Sequence, residues 1–123
     1  MAVTQSRDNR TIIAGADLSA SQFIFVSQDA AAKAIVTVAG VASFGLLEVG
    51  AKTDKACTVT RTGKVMVECG GTVTLAGNIA ADAAGKAVDA TTGDIILGTA
   101  AYEAGVAGQI IAIELSTAGN VSA

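Results

Sequence analysis

The sequence contains no proline, tryptophan or histidine among its 123 residues, and it has only three phenylalanines and one tyrosine. Without histidine, neither a Ser/His/Asp nor a Cys/His catalytic arrangement can be assembled, and imidazole ligation of a metal is excluded. Hydrophobic residues reach 51% although aromatic residues are only 3%. The core must therefore consist of Val, Ile, Leu and Ala, which suits thin layers of β-strands better than thick helices.

Long hydrophobic runs and an excess of basic charge are also missing. The longest uncharged run, residues 34–47, contains two glycines and is shorter than the roughly 20 apolar residues that cross a bilayer. Residues 1–10 are polar and have no apolar signal region. A net charge of −3 with so few aromatics lacks the basic stripe and stacking platform of nucleic-acid binding. We expect no membrane and no nucleic-acid partner, synthesis in the cytoplasm, and reduced cysteine thiols.

Charge is distributed unevenly along the chain. Residues 1–64 carry seven Lys or Arg against five Asp or Glu, a net charge of +2. Residues 65–123 carry one against six, a net charge of −5. The first half is therefore the basic half of the molecule.

The sequence also contains an internal echo. The segment Asp29-Ala-Ala-Ala-Lys33 returns 53 residues later as Asp82-Ala-Ala-Gly-Lys86, and Phe44-Gly45 returns at the same offset as Leu97-Gly98. A third landmark, Glu48-Val-Gly50, returns as Glu103-Ala-Gly105 at an offset of 55. Three landmarks in one order indicate one β unit used twice, with approximate two-fold symmetry.

Glycine and aspartate turns between short β-branched runs predict the fold class. We expect an all-β domain, a small compact barrel or sandwich of short antiparallel strands with an internal pseudo-repeat. The flexible N-terminal arm is assigned to residues 1–10, the β domain to 11–117, with pseudo-repeats at about 17–64 and 70–117, and a short tail to 118–123. Helix competes with a hairpin for residues 29–35, but the glycine in the second copy favours the hairpin.

The alternation from Cys57 to Cys69 predicts a further hairpin. A two-residue loop at Thr62-Gly63 would place apolar residues opposite polar ones, so a three-residue loop, Thr62 to Lys64, is favoured. That register places Cys57 opposite Cys69, close enough for a disulfide. We prefer the interpretation that both cysteines serve as small buried apolar side chains.

No catalytic, cofactor-binding or metal-binding residues are predicted. Asp89 and Asp94 lack the spacing of a calcium loop, and no phosphate-binding glycine motif is present. Gly85-Lys86 at a hairpin tip has alanines where a carrier lysine would have a Met or acidic neighbour. The sequence thus offers scaffold rather than reactive groups.

The order of these motifs resembles a known family. The elements that carry the likeness cover about residues 11–117 and are Asp17-Leu-Ser19, Phe23-Ile-Phe-Val26, the two Asp-to-Lys segments, Gly63-Lys-Val65, Thr72-Val-Thr-Leu-Ala-Gly77, Leu97-Gly98, Glu103-Ala-Gly105, Ala107-Gly-Gln-Ile110 and Ile113-Glu-Leu115. Their order is similar to that of the small capsid decoration (cement, or head stabilisation) proteins of tailed bacteriophages, in the DUF2190-like group. Gly98-Thr-Ala100 stands where such proteins often have Gly-Val-Ala.

This resemblance implies a structural virion protein that is not an enzyme and needs no cofactor. Such a protein binds the outer surface of the expanded capsid, often as a homotrimer, and bridges subunits of its partner, the major capsid protein. We expect the N-terminal arm to pair with a capsid strand. The candidate contact residues are Arg7, Arg10, Thr11, Ile12 and Ile13.

Two other functions remain open at this stage. Another non-enzymatic phage β module, such as a fibre, tail or adhesin domain, fits the same composition. An enzyme would need a catalytic set made only of Ser, Lys and carboxylates.

Overall fold

The computed structural model describes residues 9–116 and Val121, and all of its regular structure is β. The ten strands are β1 (Asn9–Ile13), β2 (Ile24–Gln28), β3 (Ala34–Val36), β4 (Gly45–Val49), β5 (Ala56–Thr60), β6 (Gly63–Glu68), β7 (Asn78–Ala81), β8 (Ala87–Asp89), β9 (Gly98–Thr99) and β10 (Ile110–Leu115). No helix that could span a membrane occurs in this part of the chain.

The strands form two antiparallel sheets with the same connectivity. The first sheet has the order β1-β5-β4-β2-β3 and the second has the order β6-β10-β9-β7-β8. Each order becomes the other when five is added to every strand number. We therefore call β1–β5 the first repeat and β6–β10 the second repeat. The all-β prediction is confirmed.

The repeat unit begins one strand earlier than the sequence predicts. The predicted copies, 17–64 and 70–117, omit β1 from the first unit and all of β6 from the second. Hydrogen bonds also shift the third landmark by one residue. Leu18 N donates to Ala51 O, and Val73 N donates to Gly105 O, so Gly105 is equivalent to Ala51 and not to Gly50. The short insertion in the connecting loop hides this alignment in the sequence.

The echoed Asp-to-Lys segments are the turns of two equivalent hairpins, as predicted. The Asp29 carboxylate accepts hydrogen bonds from the backbone NH groups of Ala31 and Lys33, at 2.9 and 3.0 Å. Asp82 does the same for the residues two and four positions after it, at 2.9 Å each. Ala32 and Gly85 occupy the left-handed region, with φ of 61° and 77°. The aspartate thus satisfies the turn backbone, and the fourth residue reverses the chain.

The predicted hairpin between Cys57 and Cys69 is wrong. Strand β5 pairs with β1 and β4, and β6 pairs with β10 in the other sheet. The Thr62-Gly63 connection therefore joins the two repeats, with Gly63 at a φ of 107°. Two strands that each bury one face produce the same alternation as a hairpin does, and the sequence cannot separate the two cases.

The two cysteines consequently belong to different cores. Cys57 lies in the buried cluster of the first repeat, and Cys69 lies in that of the second. Both are free thiols. Burial raises the pKa of each thiol above its ordinary value. Their role as small buried apolar side chains agrees with the preferred interpretation.

The first repeat contributes to both cores. Its inward side chains, including Ile24, Val26 and Leu47, form one cluster. Phe25 and Leu46 point to the opposite face of the same sheet and are completely buried in the second cluster. The first sheet is therefore covered on both faces, and the two repeats are packed together.

Strand β1 begins at Asn9, so the boundary of the predicted arm at residue 10 falls inside a strand. Residues 1–8 lie outside the described part, as do the tail residues 118–123 except Val121. Val121 forms an antiparallel bridge with Ile95.

Candidate functional site

Four of the five predicted contact residues lie on β1, at the edge of the first sheet. Arg10, Thr11 and Ile13 are exposed, and Ile12 is half-buried against the core of its repeat. Arg7 lies outside the described residues. Strand β1 pairs with β5 on one side, and no described strand pairs with its other side.

The backbone of β1 has one side committed and one side open. Ala14 N donates to Lys55 O, and the register pairs Ile12 with Cys57 and Thr11 with Thr58. Hydrogen-bonding direction alternates along an antiparallel strand, so Ile12 faces β5 whereas Thr11 and Ile13 direct their NH and C=O groups outwards. An edge of this kind is a template for an added strand.

Side-chain contacts hold β1 in position. The Thr60 hydroxyl donates to Asn9 Oδ1 at 2.8 Å. The neighbouring Arg61 lies over the Phe44 ring, 4.5 Å from its centroid, and its Nε donates to the Phe44 carbonyl oxygen at 3.0 Å. The end of β5 beside β1 therefore carries a fixed positive charge.

A groove of about 670 Å³ lies between the two repeats. Phe23 and Ile24 line it from the first repeat, and Glu68, Lys86 and Ile110 line it from the second. Lys86 Nζ and a Glu68 carboxylate oxygen are 2.9 Å apart, and this hydrogen bond raises the pKa of Lys86. The sequence does not predict this groove, because its walls come from both repeats and from segments spread between Ala20 and Ile110.

The outer face of the second sheet carries exposed apolar side chains. Met66, Ile110 and Tyr102 are 49%, 50% and 45% exposed. Lys64 Nζ lies 4.4 Å from the centroid of the Tyr102 ring, and the Tyr102 hydroxyl donates to Glu114 Oε1 at 2.6 Å. That hydrogen bond raises the pKa of Tyr102. This face is a second surface that could contact a partner.

The described residues offer no assembled centre for chemistry. They contain no group of three or more His, Cys, Asp or Glu side chains that could hold a metal ion. The ion pairs between Lys33 and Asp54 and between Lys86 and Glu68 are examples that lie at the surface and link turns to neighbouring segments. What the geometry presents is an open strand edge, a groove and an apolar face, all of which suit binding.

Comparison with known proteins gives a likeness of fold. No family model matches the chain, and no curated protein matches it significantly. Among solved structures, the N base of the head fiber protein gp8.5 of bacteriophage phi29 superposes with a TM-score of 0.71 at 13% sequence identity. The match covers 95% of this chain and 100% of that one. At this identity the likeness establishes a shared fold that extends over almost the whole chain.

Proposed function

We propose that this protein is a structural component of a bacteriophage virion and binds the outer surface of the expanded capsid. There it bridges neighbouring subunits of the major capsid protein and stabilises the head. The observation that carries the proposal is the fold shared with a phage head fiber base over 95% of the chain. The motif order that resembles capsid decoration proteins supports the same function.

The physical design fits a role in a lattice. The described residues form two packed β-sheets that are already ordered before binding. Binding therefore costs little further conformational entropy. Weak contacts repeated over a symmetric shell, or within a trimer, add up through avidity. The homotrimer is part of this proposal.

The open edge of β1 is the proposed capsid contact. Thr11 and Ile13 offer their backbone to a capsid strand, and Ile13 offers an apolar side chain that is 41% exposed. Arg10, with Arg7 before it, supplies positive charge for acidic capsid groups. Main-chain hydrogen bonds of the added strand would provide affinity.

The test uses heads of the parent phage prepared without this protein. Purified protein is mixed with expanded and unexpanded heads, and the heads are sedimented. We expect saturable co-sedimentation with expanded heads and much weaker binding to unexpanded heads. Equal absence of binding to both would reject the capsid role.

A second candidate is favoured by the same comparison, because the matching protein is a fiber base. In that case this chain would form the base of a projecting appendage. Electron microscopy of negatively stained virions separates the two, since a fibre projects from the head whereas a decoration protein lies on it.

A further inference from the structure

The contact between the two repeats is one-sided. Phe25 N in the first repeat donates to Gly85 O in the second at 2.7 Å, and Glu68 N in the second donates to Phe23 O in the first at 2.8 Å. The loop around Gly40 adds two more bonds: Gly40 N donates to Ala81 O, and Ile95 N donates to Gly40 O. If the repeats were related by a two-fold axis, each of these hydrogen bonds would occur a second time, between the equivalent residues with the two repeats exchanged.

The exchanged positions are exposed instead. The shared topology makes Phe23, Phe25 and Gly40 of the first repeat equivalent to three residues of the second. These three are exposed and are Ala76, Asn78 and Gly93. We call them, with Thr99, the rear face. Phe23 and Ala76 even share a left-handed φ, of 60° and 64°.

The first repeat likewise carries an exposed copy of the surface that the second repeat uses. Glu68, Gly85, Ala81 and Ile95 of the second repeat have equivalents in the first. These equivalents are exposed and are Ile13, Ala32, Gln28 and Ala42. We call them the front face. The molecule therefore presents both halves of its own internal contact, one on each repeat. The predicted two-fold symmetry between repeats is thus replaced by a head-to-tail relation.

The chemistry of the exposed halves differs from that of the internal contact in a complementary way. Phe25 and Leu46 are replaced on the rear face by Asn78 and Thr99, and buried Thr60 is replaced by Glu114.

On the side of the front face, Arg10 and Arg61 of the first repeat stand where the second repeat has the buried residues Val65 and Leu115. The exposed contact is thus more polar than the internal one, with an acid on one half and two bases on the other. The net charges of the two halves of the chain agree with this: the half that carries the front face has a net charge of +2, and the half that carries the rear face has a net charge of −5.

We propose that a second copy of this chain docks its front face on the rear face of the first, in the arrangement that the repeats use internally. Such a contact is heterologous, and it closes into a ring where the rotation permits. This contact uses Arg10 and Ile13, which the proposed capsid contact also uses, so each copy engages them with one partner at a time. The self-association itself does not depend on capsid binding.

One position sets how closely the external contact can copy the internal one. A Cβ atom on Gly85 would lie 2.7 Å from Phe25 O, which no real structure tolerates without a shift. Ala32, its equivalent on the front face, has such a Cβ atom. The external contact must therefore open slightly, and it is weaker than the internal one. Replacing Ala32 by glycine removes the obstacle.

Sedimentation equilibrium of the purified protein in the absence of heads tests the proposal. We expect concentration-dependent association that salt weakens, because Arg10 and Arg61 face Glu114 across it. Asn78→Lys places a third positive charge against the two arginines and should weaken association about tenfold or more, which is about 1.4 kcal/mol. The control is Thr53→Lys, which adds the same charge at an exposed loop position outside both faces.

Ala32→Gly gives a test of opposite sign and should tighten association severalfold. Its control, Ala30→Gly, introduces glycine at the same hairpin tip, two residues away, and should leave association unchanged. A monomer at millimolar concentration, or association that neither Asn78→Lys nor Ala32→Gly alters, overturns the proposal. So does a monomer whose binding to heads is lost in Asn78→Lys, because the rear face then belongs to the capsid.

Discussion

At the scale of single residues, the two hairpin tips show how one motif meets two environments. Ala32 and Gly85 share a left-handed backbone conformation. Ala32 is exposed, whereas Gly85 is buried and its carbonyl oxygen accepts a hydrogen bond from Phe25 N. The glycine of the second copy is therefore required twice, once by its φ and once by the close approach of the first repeat. The sequence indicates only the first requirement.

Exchanging the two tip residues gives a first prediction. Gly85→Ala should lower the free energy of unfolding by about 2–4 kcal/mol, because the backbone is left-handed and the new methyl group meets Phe25 O. Ala32→Gly should raise it by about 0.5–1 kcal/mol, since relief of left-handed strain exceeds the entropy cost of glycine. Urea denaturation of both variants measures this. Equal changes in the free energy of unfolding in the two variants would contradict the contact between Gly85 and Phe25 of the first repeat.

The cysteines give a second prediction. Because Cys57 and Cys69 are buried in different cores and their thiol pKa values are raised, the folded protein should keep two free thiols after exposure to a mild oxidant. Mass spectrometry after alkylation in denaturant should show both cysteines labelled. An intramolecular disulfide formed under native conditions would instead support the hairpin that the sequence suggests.

The single tyrosine of the sequence permits a third prediction. The hydrogen bond to Glu114 raises the pKa of Tyr102, so the phenol should ionise above its ordinary value of about 10. A raised folded pKa means that its stabilising effect is present below pH 10 and is lost as the pH rises further. The ultraviolet absorbance of the phenolate measures the titration.

Glu114→Gln should bring the titration midpoint of Tyr102 back towards 10. It removes the carboxylate that accepts the hydrogen bond. Glu48→Gln is the control, because it removes one carboxylate elsewhere in the chain. A midpoint at or below 10 in the unsubstituted protein would exclude the Tyr102–Glu114 hydrogen bond in solution.

At the scale of elements, β1 is the strand on which the proposed capsid contact depends. Its assignment required structure, because the polar sequence of residues 9–11 resembles an arm until β5 supplies a partner. Strand β6, its equivalent, is readily predicted from its alternating valines. The contrast between β1 and β6 indicates that a strand with few apolar residues is determined by its pairing partner more than by its own sequence.

Proline at position 11 should separate edge pairing from folding. The outward-facing NH of Thr11 takes no part in the β1–β5 ladder, so Thr11→Pro removes an edge donor while the sheet is retained. We expect strongly reduced binding to expanded heads with an unchanged circular dichroism spectrum. Thr11→Ala, which keeps the NH group, should bind normally. Normal binding of the proline variant would reject strand addition at β1.

At the scale of the whole molecule, the sequence indicated duplication but not how the copies meet. The echo at a spacing of 53 residues predicted equivalent hairpins, and the structure contains them. The exposure of Asn78 beside the burial of Phe25 reflects a head-to-tail relation, which no local pattern encodes. The first repeat is buried on both sheet faces because the second repeat covers one of them.

The capsid role is tested most directly by cryo-electron microscopy of expanded heads saturated with the protein. The account predicts density on the outer surface that fits the two sheets, lies across the junction of neighbouring major capsid subunits, and places β1 against a capsid strand. Heads without such density, or density confined to the tail, would contradict it.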